Sequence, residues 1–254
     1  LTRKDWTREE LILAFNLYCK TPFGKIHTRN PNIIELAKLL GRTPSAVSWK
    51  LANIARLDPA LKERQISGAT HGNKAEVQIW EEFHQNWEEL AFESERLLAW
   101  LKHVPLQESA GIPVEEQFGE GKESESIVRI RVKQYFFRQM VLATYSYRCC
   151  ITGLAVPELL NASHIVPWSV DPKNRLNPRN GLCLNSLHDR AFDRGLLTIT
   201  TDYQVKVSTK LKILSDDASL FLLLRYDNVR VNLPDRFVPD NNFLAYHNEN
   251  VFLK

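Results

Sequence analysis

The chain has 254 residues, 44% hydrophobic and 25% charged, a mixture that sustains a folded core and excludes wholesale disorder. No apolar run reaches bilayer length and Leu1–Arg8 lacks an apolar signal core, so a membrane span is excluded and a cytoplasmic location is expected. The net charge of +3 conceals three blocks: 12 Lys and Arg against 6 Asp and Glu in residues 1–70, 4 against 13 in 71–126, and 17 against 11 in 127–254. Two basic blocks around an acidic one suit a polyanionic partner, although solvated faces alone would give the same counts. Four cysteines, two of them adjacent (Cys149 and Cys150, with Cys19 and Cys183), make a poor disulfide framework and fit a reducing compartment.

Residues 1–70 read as three helices. Thr7-Arg8-Glu9-Glu10 is a capping box, followed by Leu11, Ala14, Phe15 and Tyr18 at helical spacing. Asn30-Pro31 opens a second helix with Ile33, Ile34, Ala37 and Leu40 as its apolar positions; Gly41 ends it and Thr43-Pro44 starts a third. In that third helix Val47, Leu51, Ile54 and Ala55 share the core face. Ser45, Trp49, Ala52 and Arg56 share the other, with Arg42 and Lys50 beside them within reach of phosphates. An outward tryptophan either stacks on a base, frames a pocket, or packs against a neighbouring helix or wing, the last being the simplest. The segment resembles a winged-helix or Myb-like helix-turn-helix module, which implies double-stranded DNA as partner and Arg42, Ser45, Trp49, Lys50 and Arg56 as its readers.

Residues 71–106 read as a helical connector. Ile79, Phe83, Leu90, Leu97 and Leu101 form a stripe, Trp80, Trp87 and Trp100 add bulk, and Glu81, Glu82, Glu88, Glu89, Glu93 and Glu95 take the opposite face. Residues 107–126 lack periodicity and read as a linker. A second domain is expected over 127–254, with a helix from Arg129 to Tyr145, a strand near Leu159–Val166, a hairpin from Leu196–Thr200 and Val205–Ser208, and a closing helix over Asp216–Tyr226 with Phe221 and Leu224 in its core.

That second domain contains a linked set of short motifs: Cys150-Ile-Thr-Gly153, Ala162-Ser-His-Ile-Val-Pro-Trp168, Asn180-Gly-Leu-Cys-Leu-Asn-Ser-Leu-His-Asp189 and Ala191-Phe-Asp-Arg-Gly195. The set resembles HNH endonucleases of the Ser-His-Ile branch. The resemblance implies an α+β chain, with the helix-turn-helix reader in front of a C-terminal ββα-metal nuclease domain. It assigns His164 as general base, Asn180 as the residue that pins the loop between the two strands and orients the base, and His188 as ligand to one divalent ion, Mg²⁺, Mn²⁺, Ni²⁺ or Co²⁺. Relatives commonly place a carboxylate or histidine before the base; here Ser163 stands there, so Ser163 through water, Asp193, or Asn185 is the expected second ligand. Cys150 is followed by Gly153 rather than a second cysteine and Cys183 has no partner at Ser186, so no structural zinc is expected and the thiols read as buried. Arg175, Arg179, Arg190 and Arg194 surround the motif, and Arg179 and Arg190 are taken as phosphate contacts. Trp168 reads as loop packing, and His27, His71, His84, His103 and His247 as surface or internally satisfied residues.

The order of domains is similar to that of restriction enzymes, including those that cut DNA bearing methylated or hydroxymethylated cytosine. One HNH site cuts one strand, so double-strand cleavage implies a homodimer, for which the tryptophan-rich 74–104 stretch is a candidate interface. Two other readings stay open: a DNA-binding regulator on a catalytically weak scaffold, and a nonspecific defence nuclease whose basic face is masked by the acidic block.

Overall fold

The computed structural model describes residues 5–63, 73–112, 122–213 and 216–254. They form two compact units, residues 1–140 and 141–254. Residues 64–72, which include His71, and residues 113–121 of the expected linker lie outside the described residues. Among the described residues no helix is long and apolar enough to cross a membrane.

The first unit is helical. The Thr7 hydroxyl accepts from the Glu10 amide and the Glu10 carboxylate accepts from the Thr7 amide, so α1 (Arg8–Lys20) opens on a reciprocal cap. Asn30 and Thr43 cap α2 (Pro31–Leu39) and α3 (Pro44–Ala55), each with proline in the first turn. Gly41 turns the chain between them at φ +62°, a left-handed value that costs glycine little. Then come α4 (Pro59–Glu63), α5 (Lys74–Phe83), α6 (Trp87–Lys102), the single turn α7 (Leu106–Ser109) and α8 (Lys122–Thr144), which runs across the division between the units.

Helix α1 is buried almost all round, through Leu11, Ile12, Leu13, Ala14, Phe15, Tyr18 and Cys19, because α3, α5 and α6 all pack on it. Phe15 stacks on Trp80 at 5.2 Å between ring centroids and meets Trp87 edge-on at 6.0 Å. Val47, Leu51, Ile54 and Ala55 are buried as their spacing requires.

Several expectations are corrected here. The stretch read as a connector is part of the same core, since α5 and α6 close over α1, so the chain divides near 140 and not at 70, 106 or 126. The third helix is followed by another helix; among the described residues of this unit there is no strand to make a wing. Ile34 is exposed, because α2 turns only Ile33, Leu36 and Ala37 inward. The acidic face is largely internal to the unit: Glu82 and Glu93 bind Arg8, Glu88 binds Lys133, and Glu95 is buried against Lys20 and Asn16. The expected linker is helical from Lys122 onward.

The second unit is built on an antiparallel pair, β1 (Leu160–His164) and β2 (Gly181–Asn185), with Ser163 opposite Leu182 and His164 opposite Gly181. Helix α9 (Ser186–Asp193) follows β2 without a loop and packs on both strands. A second hairpin, β3 (Leu197–Ile199) and β4 (Val205–Val207), is followed by α10 (Thr209–Ile213), α11 (Asp217–Leu222) and α12 (Asn241–Asn250). The closing helix is shorter than expected: α11 ends at Leu222, Phe221 is exposed, and a 3-10 turn at Leu224–Tyr226 carries the chain on.

Candidate active site

β1 and α9 place the site. Side chains alternate along a strand, so His164 leaves one face of β1 while Asn161 and Ser163 leave the other, toward α9. The loop between β1 and β2 is held by Asn180. Its Oδ1 accepts from the Val166 amide at 2.8 Å, and its Nδ2 donates to the carbonyls of Val166 and Asn174, both at 3.2 Å. The Ile165 amide donates to the Asn180 carbonyl. Asn180 is 1% exposed, so these bonds act without competition from water.

The ring of His164 is oriented by a different residue from the one expected. Its Nε2 lies 2.8 Å from the carbonyl of Arg175, and since a carbonyl only accepts, Nε2 carries the proton and Nδ1 is the basic nitrogen. Trp168 meets the ring edge-on at 5.5 Å. Arg175 lies over Trp168 and donates from Nε to the Trp168 carbonyl, so imidazole, tryptophan and arginine brace one another. Burial pushes His164 below its usual 6.5, against the Arg175 carbonyl, which favours the charged form. The Asn180 side-chain amide is thus bonded to the loop backbone at Val166 and Asn174.

His188 has the opposite tautomer. The Asn185 side chain caps α9 by accepting from the His188 amide at 3.0 Å, and the same oxygen lies 2.9 Å from His188 Nδ1. Nδ1 therefore donates and Nε2 holds the lone pair. Nε2 is buried without a hydrogen-bond partner, and Tyr226 meets the ring edge-on at 5.2 Å. Burial lowers the pKa of His188 to about 4, which keeps it in the neutral, ligating form. Asn185, offered above as a ligand, spends its oxygen on orienting His188.

The Ser163 hydroxyl is committed to Asp189, a residue the sequence reading passed over. Asn161 donates to the other oxygen of the same carboxylate at 2.7 Å. Asp193 is exposed, one turn further along α9, and its pKa is raised by partial burial and by the charge of Asp189. The signal for Asp189 was present in the Leu-His-Asp run and in the alternation that sends Asn161 and Ser163 to one face.

Residues 149–200 match the family model described as HNH endonuclease. No curated protein matches the chain. The match falls in the second unit of this mixed α and β chain and supports a nuclease, that is a hydrolase, activity in general. HNH nucleases generally use a divalent metal ion, and the unpartnered Nε2 of His188 and the carboxylate of Asp189, one residue on, are nitrogen and oxygen donors of the kinds such an ion takes. Among the described residues no group of three or more His, Cys, Asp or Glu is arranged to hold an ion. Cys149, Cys150 and Cys183 are all buried, and the thiol of Cys150 is pushed up by burial and by the other two.

The basic residues divide. Arg190 and Arg194 are exposed beside the site. Arg179 is exposed but anchors the C-terminal segment, with Nε to the Val238 carbonyl at 3.1 Å and Nη2 3.2 Å from Asp240. In the first unit two expected phosphate contacts are overturned. Arg42 is paired with Glu10 and lies over Trp6, and Lys50 is buried against the fully buried Glu76. Both charges are neutralised where they would have to face DNA. Ser45 is exposed and Arg56 half-buried. Trp49 is 61% exposed and so does not serve as core packing.

Proposed function

We propose that the chain is a metal-dependent DNA endonuclease acting as a restriction enzyme, with His164 as general base, Asn180 as loop anchor, His188 as metal ligand, and the first unit as the reader of a modified cytosine. The observation that carries the nuclease chemistry is the pair of opposite tautomers. His164 has its basic Nδ1 set by the Arg175 carbonyl, and His188 has its lone pair on Nε2 set by Asn185. A phosphodiester resists attack because it is anionic, so hydrolysis needs an activated water and a countercharge. His164 Nδ1 accepts the water's proton, and the lowered pKa keeps it unprotonated at neutral pH. His188 would hold the divalent ion, which would supply countercharge to the anionic phosphodiester. Ser163 belongs to the surroundings of that ion, and the exposed Arg190 and Arg179 to the phosphate path.

The reader role rests on the Gly41 turn between α2 and α3 and on Ser45, Trp49 and Arg56 outside the core; an exposed tryptophan suits the added methyl or hydroxymethyl group of a modified base. Double-strand cleavage requires two copies, and Trp100, 70% exposed, is the remaining tryptophan suited to such an interface, since Trp80 and Trp87 are buried. The regulator reading drew on the carboxylate missing at position 163; the Ser163 hydroxyl there donates to the carboxylate of Asp189.

The experiment is plasmid cleavage with Mg²⁺, Mn²⁺, Ni²⁺ or Co²⁺ on unmodified and cytosine-modified DNA, with His164→Ala alongside. Metal-dependent cutting of modified DNA that is lost in the variant is expected. Cutting of both substrates removes the modification preference, and cutting retained in the variant removes His164 as base.

A further inference from the structure

Asp189 is half-buried, and among the described residues no Lys, Arg or His forms an ion pair with it. A carboxylate drawn out of water without a countercharge is costly unless something cationic occupies its surroundings. Two neutral donors from β1 hold it: Asn161 Nδ2 on Oδ2 and the Ser163 hydroxyl on Oδ1. A carboxylate offers about four lone-pair directions, so each oxygen keeps one for a further partner. The preceding residue, His188, is 2% exposed, and its Nε2 is without a hydrogen-bond partner. A fixed hard oxygen donor and an unprotonated imidazole nitrogen thus stand on the same turn of α9, which packs against the strand that ends in His164.

We propose that Asp189, steered by Asn161 and Ser163, is the carboxylate through which this site takes its divalent cation. Ser163 is then a positioning residue and not a ligand, and Asp193, exposed and without a donor from β1, is outside the coordination shell. The exchange has a physical logic. Strand position 163 and helix position 189 face each other across one hydrogen bond, so a single carboxylate on either side serves the same cation, whereas two would repel when no cation is present. This inference rests on the nuclease reading for the ion's purpose, but its test does not depend on cutting.

The test is Mn²⁺ binding to the metal-stripped full chain, followed by the signal of free Mn²⁺ in solution, for the parent, Asp189→Asn, Asp193→Asn and the exchange variant Ser163→Asp/Asp189→Asn. Asp189→Asn should weaken binding by about ten-fold or more, Asp193→Asn by no more than about three-fold, and the exchange variant should recover to within a few-fold of the parent. Metal-free melting curves separate loss of the ion from loss of the fold. A second measurement needs no variant: Fe²⁺ with ascorbate and peroxide, added to the parent, should cleave its own backbone around 161–164 and 187–190. Parent-like binding in Asp189→Asn, an equal loss in Asp193→Asn, or backbone cleavage confined elsewhere overturns the proposal. Cation binding that depends on Asp189 in a chain that cuts no DNA would leave this inference standing and remove the nuclease reading. Metal-dependent cutting with Asp189→Asn binding Mn²⁺ as the parent does would have the reverse meaning.

Discussion

At the scale of single residues, three histidine environments make three different predictions. His164 must be neutral to act as a base and its pKa lies below 6.5, so the acid limb of the cleavage rate should fall below pH 6.5. His164→Ala should lower the rate by about 10²–10⁴-fold with binding of DNA retained, measured by gel shift beside cleavage. His188, with its lone pair on Nε2, is expected to tie activity to metal. His247 has no part in the site. Its Nε2 donates to the Phe192 carbonyl at 3.2 Å, its Nδ1 accepts from the Thr198 hydroxyl at 2.7 Å, and its ring stacks on Phe192. Burial lowers its pKa to about 4 from 6.5. The unfolded chain therefore binds a proton between those values that the folded chain refuses, so stability is complete above pH 6.5 and declines as pH falls toward 4. The shift corresponds to about 3 kcal/mol in all. Denaturant midpoints taken between pH 7 and 4 should fall less steeply in His247→Gln than in the parent.

At the scale of elements, the ends of α9 decide how the site is assembled. Asn185 starts the helix and orients His188 with one oxygen; Gly195 finishes the turn beyond it at φ +66°. A Cβ on Gly195 would lie 2.1 Å from the Val251 carbonyl oxygen, so the Phe-Asp-Arg-Gly run is a packing requirement of the chain that follows α12. Gly195→Ala combines that clash with a disfavoured backbone and should cost roughly 3 kcal/mol, read from thermal or denaturant unfolding. Helix α12 itself escaped the sequence reading. Asn241–Asn250 contains four asparagines, which favour caps and turns over helix interiors, and its apolar spacing is sparse. It forms because Asp240 caps it and because Leu244 and His247 are buried against the second unit. Tertiary contacts supply what local propensity withholds.

At the scale of the whole molecule, the first unit separates two roles that sequence spacing had merged. Lys50 neutralises a buried carboxylate, while its neighbour Trp49 is in solvent. Lys50→Ala would strand Glu76 and should destabilise the unit by about 3–5 kcal/mol, whereas Trp49→Ala should change stability by no more than about 0.5 kcal/mol. If the proposed reader role holds, Trp49→Ala alone lowers the preference for modified DNA in a competition between methylated and plain duplexes; an unchanged preference removes Trp49 from that role. Cutting by one copy should yield nicked plasmid, and sedimentation of the DNA-bound protein will decide whether double-strand cuts accompany a dimer.

What the sequence determined by itself was local or short-range. The caps at Thr7, Asn30 and Thr43, the left-handed Gly41, the core face of α3 and the strand-loop-strand-helix order around His164, Asn180 and His188 each depend on residues a few positions apart, where spacing and geometry are the same statement. What only the tertiary structure decided involves partners far apart in the chain. Arg42 meets Glu10, Lys50 meets Glu76, Glu95 meets Lys20, and Asp189 meets Asn161 and Ser163. A charged residue on a helix reads identically in sequence whether it faces solvent or a counter-ion brought by another helix, and burial alone distinguishes the two. The same reason hid Asp189: a carboxylate's chemistry is set by the donors and the water around it, and here those donors come from a strand more than twenty residues earlier.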